Sequence, residues 1–485
     1  MNFLIIMSDE HTRRMSGCYG HPVVQTPNID RLAARGVRFD NAYCNHPICV
    51  PSRANFLTGR YTHDTGHWDN AHPYIGDDEA ASWGHRLAAQ GHQVTSIGKL
   101  HYRYDDDPNG LTDSRVSMNV MNGTGDYFGS MRWRLTRGTA VPMNIANSGA
   151  GDTEYIRYDT AVGDETARWL KEDAPGFDKP WALFSSFVTP HFPFVVPEEY
   201  FNLYPPESVE LPIKWREQDW TAHPYWDYVR PLRSGTDTNF SEEDVRRTLA
   251  AYYGLITFMD RQLGRALDAL DEAGLTDSTR IIYTSDHGEI GGSYGLWGKS
   301  CMYEDSAGVP LIAAGPDIPA GEVRKTNVSF VDLFPTALAC VGVDLESEDA
   351  DLPGVSLWDI AKGAEIPGRI VFSEYHASGA PTGNFMVKDD RYKFVYYGTE
   401  YPPELFDLQE DPTELNDLGR DPAHAGTRAR LEAELRKICD PVEVNDRAFA
   451  SQRALIDSHG GEEAVLAEGK KVNWTRPPTS FQDDA

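Results

Sequence analysis

Short runs dominated by apolar residues recur along most of this chain, at Phe3–Met7, Val94–Ile97, Trp181–Phe187, Arg280–Thr284 and Val309–Ala313. Each has the length of a strand, and the first gives way at once to polar Ser8-Asp9-Glu10-His11. A strand buried on both faces reads this way when it ends in a functional loop. Helical patterns lie between the runs, at Asn28–Arg35, Asp159–Leu170 and Ser241–Ala273. Ser241 and Asp244 open the longest of them at capping-box spacing, and Gly274 follows as a stop. This alternation, sustained over about 340 residues, predicts an α/β fold with a large mixed, mostly parallel sheet sandwiched by helices. Functional groups in such sheets gather at the carboxyl ends of strands. Asp9 and Asp286, each just past an apolar run, belong at that edge.

The texture changes near residue 365. Arg369–Tyr375, Asn384–Lys388 and Tyr392–Tyr397 read as short strands, and Ala423–Ile438 as a charged helix. The expected organisation is a main domain over 1–365, a smaller α+β subdomain over 366–440 and a polar tail over 441–485. The tail is expected to lie extended over a neighbouring surface or a partner subunit.

Charge narrows the functions. Lys and Arg number 45 against 74 Asp and Glu, so 45 − 74 = −29. Nucleic-acid binding lacks the basic surface it needs. The same acidity repels anionic ligands at long range, so a sulfate- or phosphate-bearing molecule requires a local cluster of metal, Lys, Arg and His. Phe3–Met7 is too short for a signal peptide's apolar core, and no run reaches the length of a membrane span. The six cysteines form no CxxC pair, which predicts a reduced, cytoplasmic protein.

The densest chemical signal is Cys49-Val50-Pro51-Ser52-Arg53, continuing Ala54-Asn55-Phe56-Leu57-Thr58-Gly59-Arg60. Pro51 and Ser52 suit a first helical turn, placing Cys49 at a helix N-terminus, where unpaired N–H groups favour an anion. A lone cysteine is more often structural, and Asp9, Lys99, His191, Asp286-His287 and Lys299 each have an ordinary surface or loop reading. Five such readings holding together at strand ends is the less economical account.

The C-x-P-S-R segment with its Leu57-Thr58-Gly59-Arg60 extension resembles the signature of the cysteine-type sulfatases of the alkaline phosphatase superfamily. Asp9 matches that family's first metal carboxylate, and Gly98-Lys99-Leu100-His101 resembles its G-K-x-H segment. Thr189-Pro190-His191-Phe192-Pro193 resembles P-H-x-P, Ser285-Asp286-His287-Gly288 the second metal segment, and Gly298-Lys299 the later lysine. Glu404-Leu405-Phe406-Asp407-Leu408, with Asp411-Pro412 and Glu414-Leu415-Asn416, is similar to the family's C-terminal run. Trp68-Asp69-Asn70-Ala71 looks most like choline sulfatases, bacterial arylsulfatases and phosphonate monoester hydrolases.

The resemblance implies an alkaline-phosphatase-like fold and a sulfatase that hydrolyses a sulfate monoester of a small molecule. Cys49 would be oxidised to formylglycine by a formylglycine-generating enzyme. Asp9, Cys49, Asp286 and His287 would hold one divalent metal (Ca²⁺ or Mn²⁺, with Mg²⁺ also suited), and Glu10 is either a ligand or a neighbour of one. Arg53, Lys99, His101, His191 and Lys299 would be catalytic. Asn70, Lys99, His191 and Lys299 would touch the sulfate. A homo-oligomer, dimer or tetramer, is implied as well. A choline substrate would need an aromatic cage, for which Trp68, Trp83 and Trp297 are candidates. Two rival readings use the same residues: a phosphonate monoester or phosphodiester hydrolase, and a non-catalytic anion-binding relative.

Overall fold

The computed structural model describes residues 1–76, 80–133, 140–233, 240–468 and 475–482. Its main sheet contains β1 (Asn2–Asp9), β2 (Gly36–Phe39), β3 (Val94–Lys99), β4 (Asp113–Met118), β5 (Ala182–Pro190), β6 (Thr279–Ser285), β7 (Leu311–Ala314) and β8 (Glu322–Arg324). Across the sheet the order is β8-β2-β7-β6-β1-β5-β3-β4. β1 runs parallel to both neighbours, β5 and β6, while β7 runs antiparallel to β6 and β2. The expected mixed, mostly parallel sheet is therefore present, and all five strand runs read from the sequence lie in it.

Side chains alternate across β1 because successive Cβ atoms point to opposite faces. Phe3, Ile5 and Met7 join one core with Phe56 and Leu57 of α2 (Cys49–Thr58). Leu4 and Ile6 join the other, against α1 (Pro27–Ala34), α3 (Glu154–Glu172) and α4 (Glu242–Glu272). Ser241 caps α4 in a capping box with Asp244, as the spacing predicts.

A second sheet follows, the antiparallel meander β9 (Val371–Tyr375), β10 (Asn384–Lys388), β11 (Tyr392–Tyr396) and β12 (Glu404–Asp407). On one face Phe372, Phe385, Val387 and Phe394 pack under Leu431 and Leu435 of α5 (Ala425–Ile438). On the other face Val371, Tyr375, Met386 and Phe406 meet Tyr43, Cys301 and Tyr303 of the main body. Asn45 pins the seam: its Nδ2 donates to Phe372 O at 2.7 Å, and its carbonyl accepts from Glu374 N at 2.9 Å.

The expectation of an extended tail is corrected. Residues 441–458 form α6 (Pro441–Ser458) and 462–468 form α7 (Glu462–Glu468). Asp440 caps α6 by accepting from Val442 N at 2.9 Å, Pro441 opens it, and Val444, Ala448, Gln452 and Ile456 form its buried stripe. That stripe includes a Gln and an Ala, so the helical period is faint in composition. Beyond it, Tyr155 Oη donates to Thr475 O at 2.6 Å and the Phe481 ring packs on Tyr158. This part of the tail lies on α3 of its own chain. Residues 469–474 and 483–485 fall outside the described residues.

Candidate active site

β1 and β6 run side by side with Ser8 opposite Ser285, so their carboxyl ends deliver Asp9 and Asp286 to one point. Glu10 then turns into the left-handed region (φ 67°), and its N–H donates to Asp286 Oδ1 at 3.2 Å. Even so, a Glu10 carboxylate oxygen stays within 4.8 Å of donor atoms of Asp9 and His191. α2 arrives beneath them with every residue buried, and Ser52 Oγ donates to Asp286 O at 2.5 Å.

Cys49 sits in the first turn of α2, as the Pro-Ser spacing predicts. Its Sγ lies 3.3 Å from His287 Nε2 and 3.9 Å from Asp9 Oδ1. Asp9, Cys49, Asp286 and His287 are all buried, and one donor atom from each falls within 4.8 Å of the others. Two carboxylates, an imidazole and residue 49 thus converge with the geometry of a divalent-cation site.

Arg53 stands one helical turn beyond Cys49 and braces the cluster. Its Nε donates to Asp286 Oδ2 at 2.9 Å and its Nη2 to Asp9 Oδ2 at 3.3 Å. Nη1 donates to Lys99 O and Ser186 Oγ, both at 2.8 Å. The guanidinium therefore orients both carboxylates and ties them to β3 and β5. Lys99 Nζ also pairs with Asp9 Oδ2. Gly98 precedes it at φ 104°, where an added Cβ would fall 2.0 Å from Ser186 O, so only glycine lets β3 deliver this lysine.

Charge balance follows from burial and neighbours. Burial would raise the pKa of Asp9, but Lys99, His191, His287 and Lys299 outweigh it and hold the carboxyl well below its usual range. Burial, with Asp9 nearby, pushes the Cys49 thiol up to about 12. The thiol is thus protonated at neutral pH and a weak nucleophile in that form. His101, at φ 59°, has two buried ring nitrogens without a hydrogen-bond partner. Burial and the charges of Lys99 and Arg53 hold its pKa well below 6.5, so the ring is neutral.

His191 and Lys299 converge on Glu10. Lys299 Nζ lies 2.9 Å and His191 Nε2 3.4 Å from Glu10 Oε2. Phe192 O accepts from His191 Nδ1 at 2.6 Å, which leaves Nε2 bare unless the ring or Glu10 carries another proton. Asn70 meets the start of α2, where its Oδ1 accepts from Val50 N at 3.1 Å.

Every site residue expected from the sequence comes to this one locus. The aromatic-cage candidates do not form one cage: Trp83, Trp297 and Trp68 lie in three separate hydrophobic clusters. Sequence reading missed Ser186, Gln452 and the clustering of Glu10 with Lys299 and His191. Ser185-Ser186 inside an otherwise apolar strand was the available signal for the first. Gln452 carries none, because its partner Asp69 is 383 residues away.

The sulfatase family model matches residues 1–343, and the model described as N-sulphoglucosamine sulphohydrolase, C-terminal, matches 292–440. The chain belongs to the sulfatase family. This sulfatase is a sulfuric ester hydrolase of the alkaline-phosphatase-like fold. It is 30% identical to the choline-sulfatase of Rhizobium meliloti (strain 1021), over 85% of this chain and 81% of that protein. It is also 30% identical to arylsulfatase K of Gallus gallus, over 99% of this chain and 91% of that one. Among solved structures, the phosphonate monoester hydrolase of Agrobacterium radiobacter aligns with a TM-score of 0.74 at 27% identity, covering 90% and 95% of the two chains. Sulfatases generally use a metal ion and formylglycine, and the buried Asp9–Cys49–Asp286–His287 cluster is a group that could hold a metal ion. Among the described residues no helix is long and apolar enough to cross a membrane.

Proposed function

We propose that residue 49 acts as a formylglycine, made from Cys49 by a formylglycine-generating enzyme, and hydrolyses a sulfate monoester beside a divalent metal held by Asp9, residue 49, Asp286 and His287. One observation carries this reading: Cys49 is packed among three buried metal-type donors, Asp9, Asp286 and His287. The donor set is rich in oxygen with one imidazole, which suits Ca²⁺ or Mg²⁺ and favours Mn²⁺ more than an all-oxygen site would.

A hydrated formylglycine at residue 49 would supply a geminal diol, with one hydroxyl to serve as nucleophile at sulfur and the other to release sulfate as the aldehyde reforms. A divalent metal held by Asp9, residue 49, Asp286 and His287 would supply Lewis-acid compensation for charge on the sulfuryl oxygens. The chain's own groups do the rest. Arg53 fixes both carboxylates and so the direction of attack. Lys99 and Lys299 bring positive charge to the sulfuryl oxygens, a clamp whose members are each worth about 10²–10³ in rate. Glu10, whose pKa burial raises to about 8, holds a proton beside His191 Nε2, and His191, with Lys299, passes it to the departing alcohol oxygen. Neutral His101, whose ring nitrogens have no protein partner, would take the proton from the remaining hydroxyl in the second step.

A comparison of aryl sulfate, aryl phosphonate and phosphodiester turnover by fully converted protein tests the reading. Preference for the sulfate is expected, since Lys99 and His101 are both in place. Turnover of the phosphorus esters alone would move the chain to its second reading, which the phosphonate hydrolase likeness favours. Sulfate binding without turnover of any ester would make it an anion-binding relative. A cytoplasmic setting is supported by Cys18, Cys44, Cys49, Cys340 and Cys439, which form no disulfide. The homo-oligomer draws no support from the tail segment docked on its own α3, and light scattering measures it directly.

A further inference from the structure

Apart from the ion cluster, the surface carries an open cavity of about 560 Å³ lined by Arg132, Trp133, Tyr228, Asp446, Phe449 and Arg453, among others. Arg132 is only 1% exposed. Its Nε donates to Gln452 Oε1 at 3.0 Å and its Nη2 to Asn445 Oδ1 at 3.3 Å. Its Nη1 is buried with no hydrogen-bond partner. Both partners it does have are neutral amides. The negative group that bears most on it is Asp69, which is held at one remove through Gln452 Nε2 at 2.8 Å. A guanidinium buried without a paired anion carries a large desolvation cost, which an anion brought beside it offsets.

The cavity walls repeat one theme. Arg132 Cζ lies 3.9 Å from the Phe449 ring centroid, and Arg453 Cζ lies 4.3 Å from that of Trp133. Two guanidinium groups stacked on two aromatic rings, with Asp446 as the single carboxylate lining, leave the cavity net positive on a chain of charge −29. Such walls offer a donor for an anion and a flat apolar face for the ring that bears it.

We propose that the Arg132 cavity is a second anion-binding site, taking a carboxylate or sulfate group carried on a ring that lies against Trp133 and Phe449. Two sources share this chemistry: a second charged group of the sulfate ester itself, and a separate aromatic or cyclic anion. The first rests on the sulfatase reading and is geometrically supported. Gln452 joins Arg132 to Asp69, and the adjacent Asn70 accepts from the helix that carries Cys49.

The test titrates benzoate and benzenesulfonate into the full-length protein by calorimetry, with benzyl alcohol as the uncharged control. Both anions are expected to bind, and R132Q is expected to weaken them at least tenfold while R132K restores part of the loss. Binding should survive Cys49→Ala, which separates this site from the catalytic one. R453Q alters an exposed rim residue, so it tests the site even where R132Q disturbs folding; a loss of about threefold is expected. Equal binding by wild type, R132Q and R453Q overturns the proposal, as does binding lost only in Cys49→Ala. Competition by benzoate against a sulfate ester identifies the ester's own second charge as the natural occupant, and non-competitive behaviour identifies a separate anion. If no sulfate ester is turned over, the titration still stands and the catalytic reading alone fails.

Discussion

Arg53 is the residue on which the geometry of the site turns, because one planar fork holds Asp9, Asp286, the end of β3 and Ser186 together. Lysine cannot make those contacts at once. Arg53→Lys is therefore expected to weaken metal binding by about 10–100-fold, the usual effect of losing a ligand's orienting partner. Calorimetric titration with Mn²⁺ measures this independently of turnover. His101→Gln should leave the metal titration unchanged and lower kcat by about 10²–10⁴, the range for a lost acid–base group. At this scale much was legible: C-x-P-S-R places Cys49 and Arg53 on one helical turn by spacing alone. The left-handed turn at Glu10 was not, since nothing in Asp-Glu-His marks it. Nor was Arg132, whose partners lie more than 300 residues along the chain.

Elements meet at the seam between the two sheets, where Glu374 on β9 accepts from His63 Nδ1 at 2.9 Å and pairs with His376 Nε2 at 2.9 Å. Burial works against the charge of His63, but Glu374 outweighs it and raises its pKa above 6.5. Burial likewise works against Glu374, but the two histidines hold its carboxyl well below 4.5. The His63 contribution is full below pH 6.5 and fades as pH rises through the raised value. The Glu374 contribution is full above 4.5 and fades on acidification. Their overlap is greatest near pH 5.5. Glu374→Gln should then cost about 3 kcal/mol near pH 5.5, as for breaking a buried pair, and less at pH 8.5. Thermal melts at the two pH values check the sign; a larger cost at pH 8.5 would contradict it. Gln452→Ala should cost about 1–3 kcal/mol, since it leaves Asp69 Oδ2 and Arg132 Nε without their partner in the interior. The main-sheet strands were legible because they are continuous apolar runs. Helix α6 was not, because two of its four central buried positions, Ala448 and Gln452, carry no strong apolar signal.

For the molecule as a whole, acidity and metal dependence are linked. Two carboxylates are held at the cation site within a protein of net charge −29. A metal at 100 times its Kd stabilises the folded state by about 2.7 kcal/mol. Chelation is therefore expected to lower Tm by several degrees, and added Mn²⁺ or Ca²⁺ to restore it. An unchanged Tm would argue against the four-residue site. The fold class and the sulfatase chemistry were both foreshadowed by strand ends that bear the same charged residues in order. The shape of the substrate's alcohol was not, because the aromatic candidates Trp68, Trp83 and Trp297 are spread over three separate hydrophobic clusters. The central claim rests on residue 49, and a mass spectrum of the peptide that contains it, from protein made with an active formylglycine-generating enzyme, tests that claim most directly. The expected mass is that of an aldehyde or its hydrate; an intact thiol in protein that still turns over sulfate esters would contradict the proposed nucleophile.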